Sequence, residues 1–470
     1  MAWTPTSRLH VSGYRFLRRR LECALLRRDL RSATEPLHGQ GFALLAGSML
    51  AALAVAGCAI FGTLRPQSTL GDAPFVLVRE TGALYIRVDG VWHPVPNLAS
   101  ARLVAGSNVS PHLVGESALA HVKRGSLIGI PGAPQDLGEP LAPADTAWTI
   151  CDSRGSVAPT TTVVVGAVTG PLVPGLAAEE TVLVTSAANA PVYLLYNGHR
   201  AVVEPTDPVV ARALRLEGRR PRRVSPTLLN AVPEAPAITA PRIPGADGRR
   251  SSAVPGFPVG SVLRLVRANR DDYYVVLADG VQRVGEVAAD LIRLTESRGA
   301  RGIAAVAPDV IGSSPTLNTL PVATFPDRAP APSNDDDATL CATWTAGDTG
   351  ARISLAAGRG SPLPTDRVPV TLAQADNGGP ALDAVYLPAG RCAYVRSTGL
   401  AGDNNRGGAR YVVTDAGVRF GIHDDEAARA LGLPAVPAVA PWPVLAALPQ
   451  GPELSRQNAS VARDTVATGS

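Results

Sequence analysis

An unbroken run of uncharged residues near the amino terminus constrains this 470-residue chain more than any other feature. Residues 41–64 contain no Asp, Glu, Lys or Arg. As a helix, these 24 residues would extend about 36 Å, which exceeds the roughly 30 Å hydrocarbon core of a bilayer. Forty residues precede the run, and it is longer than the apolar core of a cleavable signal peptide. A buried helix of a soluble protein is the alternative, but such a core rarely holds so long a run without charge. We therefore predict an uncleaved transmembrane helix over 41–64.

Basic charge is concentrated in front of this run. Residues 1–40 hold eight Arg against three acidic residues, leaving 36 of the 44 Lys and Arg and 37 of the 40 Asp and Glu for the rest of the chain. An arginine-rich flank before the helix and a nearly neutral chain after it predict a cytoplasmic amino terminus and an extracytoplasmic remainder. Because the basic excess is local, the composition does not indicate a nucleic-acid-binding surface.

The cytoplasmic arm is expected to contain a basic amphipathic helix within residues 13–30. Leu17, Leu21 and Leu25 recur at helical spacing with arginines between them. Such a helix could lie on anionic lipid, or it could dock on a cytoplasmic partner protein. The candidate contact residues for either role are Arg15, Arg18, Arg19, Arg20, Arg27 and Arg28.

Beyond the anchor, one pattern occurs four times. Each copy is a short strand, a turn carrying Asp or Asn with Gly, a second strand, and a short Ala/Leu-rich helix; the first strands begin near Leu84, Val192, Tyr273 and Tyr411. Asn-Gly and Asp-Gly supply the positive φ angles that two-residue hairpin turns need. Because a lone hairpin is marginally stable in water, each following helix is expected to cover its hairpin. The pattern predicts four small strand-turn-strand-helix repeats.

We therefore predict an α+β protein with one N-terminal transmembrane helix and an extracytoplasmic β-rich central domain flanked by the four repeats. The predicted boundaries are a basic cytoplasmic arm at 1–40, the transmembrane helix at 41–64, repeat 1 at 65–124, the central domain in two parts at 125–180 and 320–400, repeat 2 at 181–218, a Pro/Arg-rich connection at 219–256, repeat 3 at 257–319, repeat 4 at 401–433 and an extended C-terminal tail at 434–470.

The cysteines suggest a disulfide outside the membrane. Cys23 falls on the cytoplasmic side and Cys58 within the anchor, which leaves Cys151, Cys341 and Cys392 in the extracytoplasmic part. Three cysteines allow three pairings, each with one residue left over. We favour Cys151–Cys341, which would join the two parts of the central domain. The sequence has no CxxC motif, so a metal knuckle or a thioredoxin-type redox site has little support.

Motifs of catalysis are missing from the sequence. Lys123 is the single lysine and follows Val122, so no Gly-x-x-x-x-Gly-Lys phosphate loop exists. No Gly-x-Ser-x-Gly elbow or His-Glu-x-x-His motif occurs, and the seven His are scattered. We accordingly predict no catalytic residue, no metal site and no cofactor.

Several distinctive segments are spread over nearly the whole chain. They are RLHVSGYRFLRRRLE at 8–22, GDAP at 71–74, PNLASARL at 96–103, KRG and GIPGAP within 123–134, SPTLLN and PEAP within 225–240, and PWP, LPQGP and LS within 441–455. Taken in this order, these segments resemble the EccB family of type VII (ESX) secretion proteins.

The resemblance implies a structural core subunit of the inner-membrane secretion complex, alongside EccC-, EccD- and EccE-like subunits and a mycosin protease. It also implies a periplasmic central domain with four repeats, self-association through that part, and a disulfide at positions matching Cys151 and Cys341. Cys392 is extra to the family pattern. Family members are sometimes labelled ATPases, so a membrane-tethered hydrolase, in particular a weak ATPase, is the alternative function. A cell-wall-binding module is a third possibility.

Overall fold

The structure is a computed structural model that describes residues 8–27, 36–64, 70–155, 158–166, 175–176, 180–246, 248–267, 271–296, 303–329, 331–332, 338–347, 350–364, 366–376, 379–402 and 407–464. The chain divides into two compact parts. The amino-terminal part comprises Met1–Gly71 with Ser117–Leu119, and the main part comprises Asp72–Glu116 with Ala120–Ser470.

The amino-terminal part contains two long helices, α1 (Arg8–Arg27) and α2 (Pro36–Leu64). Within the described residues, α2 provides one segment long and apolar enough to cross a membrane, Gly41–Ile60, and none of it is buried in the protein. Apolar side chains such as Phe42 and Leu50 are exposed on it, which is typical of a helix whose surface a bilayer would cover.

The main part is rich in strands with short helices between them. The helices are α3 (Leu98–Ala105), α4 (Pro208–Ala213), α5 (Pro226–Asn230), α6 (Glu286–Glu296), α7 (Pro308–Gly312), α8 (Asp425–Ala430), α9 (Trp442–Ala447) and α10 (Arg456–Ala459), with 3₁₀ turns at Glu116–Leu119 and Pro143–Asp145. The strands are β1 (Phe75–Val78), β2 (Leu84–Val88), β3 (Val91–Val95), β4 (His112–Val114), β5 (Leu127–Ile128), β6 (Glu139–Pro140), β7 (Trp148–Ser153), β8 (Thr160–Val165), β9 (Glu180–Thr185), β10 (Val192–Tyr196), β11 (His199–Val203), β12 (Arg222–Arg223), β13 (Glu234–Ala235), β14 (Val262–Val266), β15 (Asp271–Val276), β16 (Val281–Val284), β17 (Ala304–Ala305), β18 (Ala331–Pro332), β19 (Thr339–Gly347), β20 (Gly350–Gly358), β21 (Val370–Thr371), β22 (Ala384–Tyr386), β23 (Arg391–Thr398), β24 (Arg410–Thr414), β25 (Arg419–Ile422), β26 (Ala438–Pro441) and β27 (Ala462–Arg463).

Four sheets in the described main part share one topology, and we call them modules one to four. Three antiparallel strands are followed by a short helix and a fourth strand that returns parallel to the first strand. The spatial order within each module is therefore third, second, first, fourth. The modules are β1–β4 with α3, β9–β12 with α4, β14–β17 with α6, and β23–β26 with α8.

A further short segment covers the outer edge of the third strand in every module. The amides of Trp92, Arg200, Val281 and Arg419 donate to the carbonyls of Lys123, Pro233, Pro315 and Pro449, at 2.8, 2.9, 2.8 and 2.9 Å respectively. Covering an edge strand in this way removes unpaired backbone groups that would otherwise invite another chain. Each module thus extends well past the helix at which the sequence pattern ended.

These returning segments change two of the predicted boundaries. The connection at 219–256 contains β12, α5 and β13, which complete module two. The tail at 434–470 is not simply extended, because it contains β26, α9 and α10, and β26 pairs with β23. Strand β23 itself lies in module four rather than in the central sheet, although the predicted second part of the central domain included it.

The hairpin turns follow the predicted chemistry in part. Asp89-Gly90 and Asn197-Gly198 both have positive φ angles (50° and 78°, 45° and 73°), as two-residue turns require. The prediction of such a turn at Asp279-Gly280 was wrong. There Val276 pairs with Val281, so the loop has four residues and Gly280 is not left-handed.

The central sheet has the order β20-β19-β7-β8-β22-β21. All its pairs are antiparallel except β8 with β22. Val- and Thr-rich strands suit a pleated surface, and Trp148, Ile150 and Trp344 are fully buried on it. The same hydrophobic core includes Leu195 of module two and Val395 of module four, so these modules pack directly on the central sheet.

Candidate functional site

A disulfide lies at the middle of the central sheet. Cys151 on β7 and Cys341 on β19 are directly opposite each other in the antiparallel register, with 4.1 Å between their Cα atoms. The two cysteines are 190 residues apart in the sequence. The bond therefore joins the two parts of the central domain, and it is the pairing that the sequence led us to favour.

The residue after the first cysteine, Asp152, is completely buried and heavily hydrogen-bonded. Its carboxylate accepts from the hydroxyl of Thr161 at 2.9 Å, from the hydroxyl of Ser225 at 2.8 Å and from the amide of Ser225 at 2.5 Å. Ser225 also caps α5, because its hydroxyl oxygen accepts from the amide of Leu228 at 3.1 Å. One carboxylate thus attaches the first turn of α5 to the central sheet.

Arg222 and Asp383 complete this cluster, which we call the buried polar centre (Asp152, Thr161, Arg222, Ser225 and Asp383). The guanidinium of Arg222 donates to the carbonyls of Asp152 at 3.3 Å and Ala338 at 2.9 Å. Asp383 accepts from the amide of Thr161 at 2.7 Å. The centre connects β7, β8 and β19 to module two and α5, so its polar groups position structural elements.

Burial in the polar centre changes the pKa of Asp152. Loss of hydration raises the pKa of Asp152 above its ordinary value, while the hydrogen bonds from Ser225 and Thr161 act in the opposite direction. Sequence reasoning missed this residue. The single charged residue of strand β7 was the one available signal, but its partner Ser225 lies 73 residues away.

The predicted basic helix forms, and its described arginines are exposed. Arg15, Arg18, Arg19 and Arg20 all lie on α1, and Arg18 pairs with Glu22 at 3.2 Å. Arg28 and the side chain of Arg27 lie outside the described residues.

The apolar side of α1 is exposed as well. Leu17, Leu21 and Leu25 fall on one face of the helix and are 58%, 62% and 83% exposed. An apolar stripe of this kind needs a partner protein or a bilayer to cover it.

Three further features of the described residues were candidates for a metal, catalytic or ligand site. No group of three or more His, Cys, Asp or Glu in the described ranges is arranged to hold a metal ion. Cys392 is buried on β23, and burial raises the pKa of its thiol to about 12, which makes it a poor nucleophile. A depression of about 510 Å³ on module three is lined by acidic residues, but its buried Asp272 already pairs with Arg267 at 2.7 Å and Arg283 at 2.9 Å.

Comparison with known proteins gives a match over the whole chain. The family model described as "Type VII secretion system ESX-1, transport TM domain B" matches residues 3–468. The "ESX-3 secretion system ATPase EccB3" of Mycolicibacterium smegmatis is 37% identical over 98% of this chain and 92% of that protein. The "ESX-5 secretion system ATPase EccB5" of Mycobacterium tuberculosis is 34% identical over 98% of this chain and 94% of that protein.

Solved structures agree with the sequence matches. A chain of the "intact ESX-5 inner membrane complex" superposes with a TM-score of 0.74 at 32% identity, covering 100% of this chain and 98% of that chain. A chain of the "EccB3 dimer from the ESX-3 core complex" superposes with a TM-score of 0.73 at 35% identity, covering 83% and 100%. With a family model and full-length relatives in agreement, the chain belongs to the EccB family of type VII secretion system proteins.

Proposed function

We propose that the chain is a structural core component of a type VII (ESX) protein secretion complex in the cell membrane, where it supports assembly and periplasmic contacts for protein export. One observation carries the proposal. The chain superposes over its whole length, amino-terminal part included, on a subunit of an ESX-5 inner membrane complex. A match that includes the anchor as well as the main part supports a shared role in the membrane complex rather than a shared fold alone.

In this proposal the chain crosses the inner membrane once, through α2. The arginine-rich arm lies in the cytoplasm, as the charge asymmetry favours, and the main part lies in the periplasm. The four modules act as four repeats around the central sheet, and their common strand order and covered third strands support this.

The partners we propose are EccC-, EccD- and EccE-like subunits, a mycosin protease and a second copy of this chain. Self-association through the periplasmic part is supported by the related EccB3 structure, which is a dimer. The exposed apolar and basic faces of α1 are the surface that we assign to cytoplasmic partners or lipid. The residues proposed for that contact are Arg15, Arg18, Arg19, Arg20, Arg27 and Arg28.

We do not favour the alternative of a weak ATPase. The relatives carry "ATPase" in their names. Lys123 lies outside any Gly-x-x-x-x-Gly-Lys loop, and no other lysine exists to contact a nucleotide phosphate in that way. In the buried polar centre, the carboxylate of Asp152 already accepts hydrogen bonds from the cap of α5 and from β8.

Replacing Arg18, Arg19 and Arg20 with Glu tests the proposed role of α1. We expect the triple variant to shift from a very large assembly to a much smaller species on native gels of gently solubilised membranes. The reason is that three charge reversals turn a basic contact surface acidic and repel an anionic partner or lipid.

The matched control replaces three exposed arginines of the main part, Arg242, Arg249 and Arg250, with Glu. This control should assemble like the wild type. A wild-type chain that migrates as a monomer would count against the proposed function, whereas an intact assembly of the α1 variant would count against the role of α1 alone.

A further inference from the structure

Arginine is concentrated in one twelve-residue segment of the main part, 212–223, which we call the arginine segment. It holds six Arg and a single acidic residue, Glu217, so its net charge is +5. The rest of residues 65–470 carries 30 basic and 36 acidic side chains. The arginine segment is therefore a local positive feature on a negative background, and neither the fold nor the proposed function accounts for it.

The arginine segment forms hydrogen-bonded turns at the end of α4. The helix begins at its cap Asp207, whose side chain accepts from the amide of Val209 at 2.8 Å. It ends in a tight reversal in which the amide of Leu216 donates to the carbonyl of Ala211 at 2.7 Å. The next turn is closed by the amide of Arg219, which donates to the carbonyl of Leu216 at 3.0 Å. Strand β12 follows, so the arginine segment consists of the end of α4, two tight turns and β12.

The six arginines differ in burial, and Arg219 is half-buried. Arg222 points inward to the buried polar centre. By contrast, Arg212, Arg215, Arg220 and Arg223 are exposed. Of these four, Arg215 reaches the carboxylate of Glu286 at 3.9 Å, and the other three have no carboxylate within salt-bridge distance among the described residues. Four exposed arginines thus lie within twelve residues, on the end of α4, the turns after it and β12.

Arg215 also has an unusual backbone. Its φ of 53° places it in the left-handed region directly after the helix, where Gly is the usual residue. A side chain there is less favourable than Gly, because Cβ approaches the following carbonyl oxygen. Its exposed side chain makes one long ion pair, so packing does not explain why Arg rather than Gly occupies this position.

We propose that the arginine segment binds phosphate groups carried by a polyanion, such as the headgroups of an anionic bilayer or a soluble phosphate polymer. Each guanidinium group can donate two hydrogen bonds to phosphate oxygens, and several exposed guanidinium groups in one short segment match a ligand with repeated negative charges. This binding goes beyond the proposed function and is independent of it.

Binding is measured with the full-length protein held in phosphatidylcholine nanodiscs. Every protein in the comparison also carries Arg15→Gln, Arg18→Gln, Arg19→Gln and Arg20→Gln, which lowers the net charge of residues 1–40 from +5 to +1 and makes any remaining contribution of the arm the same in all of them. One probe is fluorescent polyphosphate, followed by anisotropy. The other is vesicles of phosphatidylcholine and phosphatidylglycerol (7:3), followed by co-flotation at low and high salt.

The test variant replaces Arg212, Arg215, Arg220 and Arg223 with Gln. We expect its affinity to be at least tenfold weaker for one or both probes and the salt dependence to be smaller. The matched control, Arg242→Gln with Arg249→Gln and Arg250→Gln, should stay within twofold of the parent. Loss with vesicles alone identifies a lipid surface, loss with polyphosphate alone identifies a soluble polymer, and loss with both supports phosphate as the common group.

A second variant separates binding from folding. Because Gly adopts a left-handed backbone without the steric cost of a Cβ atom, Arg215→Gly should melt at a temperature no lower than that of the parent. The same variant should bind the phosphate probes more weakly. Unchanged affinity of the fourfold variant for both probes would overturn the proposal. So would polyglutamate binding as tightly as polyphosphate, which would identify an acidic protein surface instead.

Discussion

Replacing Cys151 with Ser is expected to lower the free energy of unfolding by about 2–5 kcal/mol. The disulfide with Cys341 closes a loop of 190 residues across the middle of the central sheet, so its loss frees a large part of the unfolded chain. A serine hydroxyl buried at this position adds to the cost. The measurement is denaturant unfolding of the full-length protein in nanodiscs under oxidising conditions.

Reduction provides the control for this prediction. Wild-type protein in excess dithiothreitol should unfold at nearly the denaturant concentration of the variant, because both then lack the bond. A second control, Cys23→Ser, removes an exposed thiol of α1 and should have no effect. Identical unfolding of Cys151→Ser and wild type under oxidising conditions would show that the bond does not hold the central domain together.

Replacing Asp152 with Ala is expected to cost about 3 kcal/mol or more. The substitution leaves the amide and hydroxyl of Ser225 and the hydroxyl of Thr161 without their acceptor in a fully buried position. It also detaches the cap of α5 from β7. Asp145→Ala removes an exposed carboxylate seven residues earlier in the chain and should stay within about 0.5 kcal/mol of wild type. Equal losses for Ala at both positions would mean that the buried polar centre contributes nothing specific.

The pH dependence gives a second measure of Asp152. Burial raises its folded-state pKa above the ordinary 3.8, so the folded protein retains this proton to higher pH than the unfolded chain does. The corresponding stability is complete below pH 3.8 and is lost as the pH rises through the folded-state pKa. In Asp152→Asn this contribution is absent, so the difference in unfolding free energy between the parent and the Asn variant should change across that window. A constant difference would contradict the direction of the shift.

The sequence predicted the elements that are determined by neighbouring residues. An uncharged run long enough for a bilayer specifies α2, and Asn197-Gly198 specifies a tight turn because few other pairs accept two positive φ angles. The third turn escaped prediction, because Asp279-Gly280 also fits a four-residue loop and the pairing of Val276 with Val281 decides between the two. The turn residues are compatible with more than one loop length, and the strand register determines which loop forms.

Long-range pairing limited the remaining predictions. Strands β12, β13 and β17 have two residues each, too few for any periodic pattern, and each is held by a partner elsewhere in its module. The tail could not be assigned for the same reason, since β26 is a strand only because β23 lies beside it. The buried polar centre was hidden likewise, because Asp152 and Ser225 are brought together by the fold.

Affinity purification of the full-length protein from gently solubilised native membranes, with mass spectrometry of what accompanies it, tests the central claim most directly. A structural core component should purify in a very large assembly together with EccC- and EccD-like proteins. Recovery as a monomer or small oligomer, free of these partners, would contradict the proposed role.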